Sequence, residues 1–187
     1  MALAFAGNGT ITGLSVGGLP DGCIQASDLA SGVGGKVLQV VSTAKTDTYT
    51  TSTNSWGDVT GMSVSLTPSS GTKCLVIIHI NNSCNVTSYG GGRIVRDSTA
   101  IAIGDASGSK ERCTWNFYQT TNNGMDYSSG MNFLDTHGAD GSTAVTYKLQ
   151  MRAWDSYAVY LNRTVSDSSD TGHARTASSI TVMEISA

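Results

Sequence analysis

Gly13-Leu14-Ser15-Val16-Gly17 has the G-x-S-x-G spacing of a nucleophile elbow. That motif works by driving a serine into a strained turn between a buried strand and a helix N-terminus. Here a short arm precedes it and Gly18-Leu19-Pro20 stands where the helix should begin, so Ser15 is not expected to act as a nucleophile. Asp135-Thr-His137-Gly-Ala-Asp140 places two carboxylates and an imidazole in one loop, a set suited to a divalent ion or a proton transfer. The preferred reading is a polar turn in which Asp135 and Asp140 bond to nearby backbone. His79 lies within an apolar run and reads as a satisfied core or interface group, and His173, between Gly172 and Ala174, as a solvated loop residue.

The four cysteines, Cys23, Cys74, Cys84 and Cys113, form no C-x-x-C pair, and with three scattered histidines no zinc site is expected. A Cys74–Cys84 disulfide would close a hairpin, but reduced structural thiols are preferred. Arg93, Arg96 and Asp97 surround one run, with Asp105 beyond it. Bidentate Arg–Asp pairs there would pin a turn or a subunit contact. Trp56, Tyr89, Trp154 and Tyr157 are candidate ligand contacts. They suit sugar-stacking platforms or interface plugs equally, because Trp and Tyr combine a large apolar face with a polar tip. The N-x-[ST] matches at Asn8, Asn81, Asn85 and Asn162 are what a Ser/Thr-rich chain yields by chance. No Gly-rich loop joins a strand to a helix, so no nucleotide cofactor is expected. No catalytic, metal-binding or cofactor-binding residue is assigned, and the residues point away from an enzyme.

These groups sit in a chain of 187 residues with 11 basic and 14 acidic side chains, a formal charge of −3. No basic stripe is available to neutralise phosphates, which argues against nucleic acid as a partner. No apolar stretch approaches a membrane span, and the start of the chain lacks the positive region of an export signal. Only 13% of residues are charged and about a quarter are Ser or Thr, with 22 Gly and 2 Pro. A surface built from hydroxyls and amides suits strands and tight turns.

Residues 1–35 are turn-rich and without sustained period, and they read as an N-terminal arm that cannot bury enough surface to fold alone. It is either disordered or tied down within an assembly, with Ile11, Leu14, Leu19, Pro20 and Ile24 as anchoring residues. From Lys36 the chain reads as short strands. Met62, Val64 and Leu66 alternate with hydroxyls, as do Cys113, Trp115 and Phe117 with polar residues, and Val145, Tyr147, Leu149 and Met151 alternate cleanly. Cys74–Ile80 reads as a run buried on both faces. Eight to ten such strands, with no window of eleven or more residues showing a 3.6-residue period, predict an all-β antiparallel sandwich or jelly roll over residues 36–187. The last run is apolar on both sides, Ile180 and Val182 on one and Met183 and Ile185 on the other. That suits a central strand or the axis of an oligomer, and these four residues are the candidate oligomer interface.

Several stretches carry a family resemblance. Gly35-Lys-Val-Leu-Gln-Val-Val41, Lys45-Thr-Asp47, Asp58-Val-Thr-Gly-Met-Ser-Val-Ser65 and Thr67-Pro-Ser-Ser70 come first. Arg93-Ile-Val-Arg-Asp-Ser-Thr99, Ile103-Gly-Asp-Ala106, Asn132-Phe-Leu-Asp135, Thr146-Tyr-Lys-Leu-Gln150 and Ala177-Ser-Ser-Ile-Thr-Val-Met-Glu184 follow in order. Residues 35–187 thereby resemble the tail-fibre-like β-domains of virion proteins from tailed phages of cyanobacteria and other aquatic bacteria. The arm, with Ile11-Thr-Gly-Leu14 and Gly18-Leu-Pro-Asp-Gly22 before Ala26-Ser-Asp-Leu-Ala30, resembles segments that precede varied C-terminal domains in phage fibres. The resemblance implies a jelly-roll of fibre-head type and a non-enzymatic virion protein assembled in the host cytoplasm. Such a protein would be a short fibre, knob or capsid decoration, anchored through its arm to capsid or tail proteins and associated with itself as a homotrimer. The alternative is a receptor-binding adhesin at a fibre tip that contacts host surface glycan, and a polysaccharide hydrolase is the third class. Two features depart from the family: the chain has no extended shaft, and Cys74, Cys84 and Cys113 occupy strand positions where aliphatic or small residues are expected.

Overall fold

Apolar side chains that alternate with Ser, Thr and Asn give strands with one dry face and one wet one. The computed structural model describes residues 36–85, 88–119, 127–154 and 157–186. These contain eleven strands and no helix. They are β1 (Val37–Lys45), β2 (Tyr49–Thr51), β3 (Gly57–Leu66), β4 (Lys73–Cys84), β5 (Tyr89–Arg96) and β6 (Thr99–Ile101), then β7 (Trp115–Tyr118), β8 (Tyr127–Asp135), β9 (Val145–Ala153), β10 (Val159–Leu161) and β11 (Ser178–Ile185). The arm, with Ile11, Leu14, Leu19, Pro20, Ile24, Ser15 and Cys23, lies outside the described residues.

Every ladder is antiparallel, and the strands form two sheets. Sheet A runs β1-β11-β4-β8, with β10 and then β2 added beside the end of β4. Sheet B runs β3-β9-β5, with β6 and β7 sharing the far edge of β5. With the three-residue strands β2, β6 and β10 set aside, eight remain. Their order is first-eighth-third-sixth in one sheet and second-seventh-fourth-fifth in the other. The nested pairs β1·β11, β3·β9, β4·β8 and β5·β7 are all hydrogen-bonded ladders, so the chain is one long antiparallel ribbon wound over itself. The sandwich is a jelly roll.

The core lies between the sheets. Val76, Ile78 and Ile80 of β4, Ile180 and Val182 of β11, Tyr147, Leu149 and Met151 of β9, and Met62 of β3 are all essentially inaccessible. Strand β9 alternates over its whole length, as its sequence predicts. In β3 the ladder advances from Asp58 to Ser63 while β9 moves only from Gln150 to Lys148. Gly61, at φ +83°, takes up this bulge.

Strand β4 differs from its expectation. Its inward residues are fully buried, but Leu75 and Ile77 are half-buried and His79 is exposed. The run is continuous because β4 is the central strand, paired on both edges, and not because both faces are covered. Cys74 and Cys84 stand at opposite ends of this strand, about 33 Å apart at the usual rise per residue, so the hairpin disulfide is ruled out. Both are free and buried, as Cys113 is free and half-buried. The Ala100–Ile103 run is also shorter than it reads, because Ala102 adopts φ +50° and turns the chain out of β6.

Three buried polar groups close the sandwich. Arg96 of β5 donates to both oxygens of Asp135 on β8, at 2.9 and 2.7 Å, and the Tyr147 hydroxyl donates to the same carboxylate at 2.7 Å. This clasp ties sheet B to sheet A. Burial first, then Asp135, pushes the Tyr147 phenol far above its ordinary value. Glu184 faces inward from β11 and accepts from Gln39 (2.5 Å), the Ser69 amide (2.7 Å) and Thr72 (2.9 Å). Burial pushes the Glu184 carboxyl up, but these donors together outweigh it and hold it below its ordinary value. Asn162, fully buried at φ +60°, donates to the carbonyls of Lys45 and Asp47 and accepts from Ser178. It is a structural amide and has no exposed nitrogen to carry a glycan.

Candidate functional site

Strands β9 and β5 pair Arg152 with Gly91 and Gln150 with Arg93, so all four residues share the outer face of sheet B. Trp154 follows β9 and Trp56 precedes β3, and both indoles reach over this face. Their rings converge on Gly91: a Cβ there would lie 2.9 Å from the Trp154 ring and 3.1 Å from that of Trp56. The absent side chain at Gly91 is what lets the two rings lie down on the sheet.

The result is a ladder of alternating cations and rings. The Arg93 guanidinium lies 4.4 Å from the Trp56 ring centre, while that of Arg152 lies 5.6 Å from Trp56 and 4.6 Å from Trp154. Glu111, from the loop between β6 and β7, ties the ladder down. It accepts from the Trp56 indole at 2.9 Å and pairs with Arg152 at 3.0 Å. Asn54 also accepts from Arg152. At the other end Arg93 donates to Gln150, and Gln150 and Lys148 both donate to Asp58. Lys148 and then Gln150 hold the Asp58 carboxyl below its ordinary value.

Beside the ladder a cleft of about 370 Å³ is lined by Tyr89, Lys110, Glu111, Cys113, Asn116 and Trp154. Tyr89 stacks on Tyr118 with ring centres 4.6 Å apart. The structure thus brings together three of the four aromatic residues singled out from sequence: Trp56 and Trp154 over the ladder, and Trp154 and Tyr89 on the cleft. Tyr157 is exposed but does not line the cleft. Arg152 and Trp154, like Gly91 and Arg93, stand two residues apart and so share a strand face, a relation the sequence reading did not use. Asn116 and Tyr118 were legible only as the outer positions alternating with Trp115 and Phe117, and Glu111 carried no sequence signal.

The outer face of sheet A is different in kind. The registers align Val40, Met183, Leu75 and Leu134 in one row across β1, β11, β4 and β8. Val37 and Ile185 extend it on one side and Ile77 on the other. Val40 and Leu134 are about half exposed, at 52% and 50%. The remaining positions are the hydroxyls of Ser42, Thr181, Ser179 and Ser128, with Ala44, Gly130, His79, Asn81, Asn132 and the rim Lys73. This corrects half of the expected oligomer interface. Ile180 and Val182 pack inside the sandwich and are inaccessible to a second chain, whereas Met183 and Ile185 lie on the outer face. Strand β11 itself sits between β1 and β4, the central position.

The other candidates resolve into structural roles. Asp140 accepts from the Ser142 amide and hydroxyl and from the Thr143 amide, which hold its carboxyl at about 2. Asp135 departs from the expected turn, since its partners are Arg96 and Tyr147 and not local backbone. His137 accepts from the Ala139 amide and contacts Thr72. His79 bonds Ser128 on the outer face of sheet A, and His173 bonds Asp170 in its loop. Arg96 therefore pairs with Asp135, not with Asp97 or Asp105, and Arg93 rests on a ring. Asp97 instead accepts from the Thr146 amide across the turn. Among the described residues no three of His, Cys, Asp and Glu converge as a metal site, and no helix is long and apolar enough to cross a membrane.

No family model and no curated protein matches this chain. Among solved structures, one of infectious bursal disease virus, Gx strain, is similar over 80% of this chain at 12% identity and a TM-score of 0.40. The match spans 36% of that viral chain, well under half its length.

Proposed function

We propose that this chain is a non-enzymatic structural protein of a virion, a jelly-roll domain of a tailed phage displayed as a short fibre, knob or capsid decoration. It assembles in the host cytoplasm as a homotrimer and is anchored by residues 1–35 to capsid or tail proteins. The observation that carries the reading is the contrast between the two outer faces. Sheet A offers an apolar row, Val40-Met183-Leu75-Leu134, set among hydroxyls and nearly free of charge. Sheet B offers arginines, carboxylates and indoles. An uncharged apolar face packs against copies of itself without burying unpaired ions, while a polar aromatic face stays outward. The ordered run of motifs shared with phage β-domains supports the same reading.

Light scattering on the full chain tests it. A mass near three times 19.4 kDa at micromolar concentration is expected, falling to the single-chain mass in Leu75→Lys and Met183→Lys. A single-chain mass in the parent protein counts against the trimer.

The second reading, a receptor-binding adhesin, is favoured by the Trp–Arg ladder and its cleft. Binding to host cells, measured with and without a Trp56→Ala/Trp154→Ala double substitution, tests it. Unchanged binding removes the aromatic face from any such role.

A further inference from the structure

We propose that the cleft beside Trp154 and the hollow beyond Tyr118 form one groove for a neutral oligosaccharide of pyranose units. The proposal rests on the attachment reading of this face and names the chemistry that reading requires. The second hollow, about 220 Å³, is bounded by Asn116, Phe117, Tyr118, Tyr127 and Ser129 among others. Asn116 lines both spaces, and the stacked Tyr89–Tyr118 pair stands between them, Tyr89 on one and Tyr118 on the other. The groove is therefore divided by an aromatic ridge into two compartments in series, which fits a chain of at least two rings better than a single sugar.

A pyranose presents a flat face of C–H groups and a rim of hydroxyls. The face needs an exposed aromatic ring, and the rim needs neutral groups that both donate and accept. Trp154 and Tyr89 supply rings to the first compartment, and Tyr118 and Tyr127 to the second. All three tyrosines are nearly half exposed. The Asn116 side chain, exposed at the junction, offers two donors and an acceptor. Charge argues for a neutral ligand. Glu111 is already matched by Arg152 and the Trp56 indole, which leaves Lys110 as the sole cation among the described residues lining the first compartment, and none of the described residues lining the second is charged. A polyanion needs a run of cations, and the described lining of this groove supplies only Lys110. The first compartment is also set in place before any ligand arrives, because Arg152 and Gly91 fix the Trp154 ring.

The test is calorimetric titration of the full chain with tetra- to hexasaccharides of glucose, mannose and galactose, alongside oligogalacturonate as the acidic counterpart. At least one neutral oligosaccharide is expected to bind at millimolar concentration or better and more tightly than the uronate. Trp154→Ala and Asn116→Ala are each expected to weaken it at least about tenfold, while Tyr157→Ala leaves it unchanged. Asn116 is exposed and lies outside the core, so its variant keeps the test sound if Trp154→Ala loosens the ladder. No binding by any neutral member, stronger binding of the uronate, or binding indifferent to both substitutions overturns the proposal. Host-cell binding that is lost in the Trp56/Trp154 double variant without any saccharide binding would leave the attachment reading standing and remove the saccharide.

Discussion

Arg152 is where the candidate site can be tested most sharply without knowledge of any ligand. Its guanidinium lies 4.6 Å from the Trp154 ring and 5.6 Å from that of Trp56, pairs with Glu111 at 3.0 Å, and donates to Asn54. Arg152→Met keeps most of the stem and removes the charge and the fork. Each cation–ring contact at a partly exposed site contributes about 0.5–1 kcal/mol. The ion pair, with Glu111 more than a third exposed, contributes about 1 kcal/mol at most. Allowing for shared contacts, the loss is about 2 kcal/mol. In a chain of this length that lowers the thermal midpoint by about 4–8 °C. Arg152→Lys retains the charge but not the planar fork and is expected to recover less than half of this loss. The assay is thermal unfolding followed by circular dichroism, with tryptophan emission recorded on the folded protein. Arg152→Met is expected to shift the emission of the ladder tryptophans as Trp56 and Trp154 lose their stacked neighbour. A midpoint within about 1 °C of the parent, with unchanged emission, would refute the ladder as an energetic unit.

Tyr147→Phe deletes the buried donor to Asp135 and is expected to cost about 1.5–3 kcal/mol by denaturant unfolding. Asp135→Ala also strands the Arg96 guanidinium and is expected to cost more, about 3–5 kcal/mol; equal losses would contradict the clasp. Burial pushes the Cys84 thiol up to about 11 and raises that of Cys74 as well. Neither is expected to react with iodoacetamide at pH 8 until the protein unfolds, which peptide mass spectrometry would show. The carboxyls of Glu184, Asp58 and Asp140 are held below their ordinary values in the folded state. Their contribution to stability is therefore complete above the unfolded carboxylate range near ~4 and is lost as the pH falls through the lower folded values. The thermal midpoint is expected to be flat above about pH 5 and to fall steadily from about pH 4 toward 2; a midpoint that holds or rises over that acid range would contradict the assignment.

The strands were legible because one face of most of them is dry. In β9, Val145, Tyr147, Leu149 and Met151 cannot be read any other way than as one buried row. What period two leaves open is which row faces in, and this is why Ile180 and Val182 were grouped with Met183 and Ile185 as an interface. A two-faced strand looks the same from sequence whether its second face meets another chain or only the half-wet outside of a sheet. The candidate site was legible in its residue types and not in its assembly. Trp56 and Trp154 meet only through the β3·β9·β5 register and the missing side chain at Gly91. Glu111 arrives on a loop with no period at all. Asp135 was misread as a local turn because its partner, Arg96, lies in the other sheet.

The most direct test is a density map of intact particles that carry this chain, at a resolution that separates the two sheets of the sandwich. The expected result is three copies with their sheet A faces, Val40 to Leu134, turned toward one another and the Trp56–Arg152–Trp154 face turned to solvent. Copies held apart with sheet A in solvent, or with the tryptophan face buried against a neighbour, would contradict it.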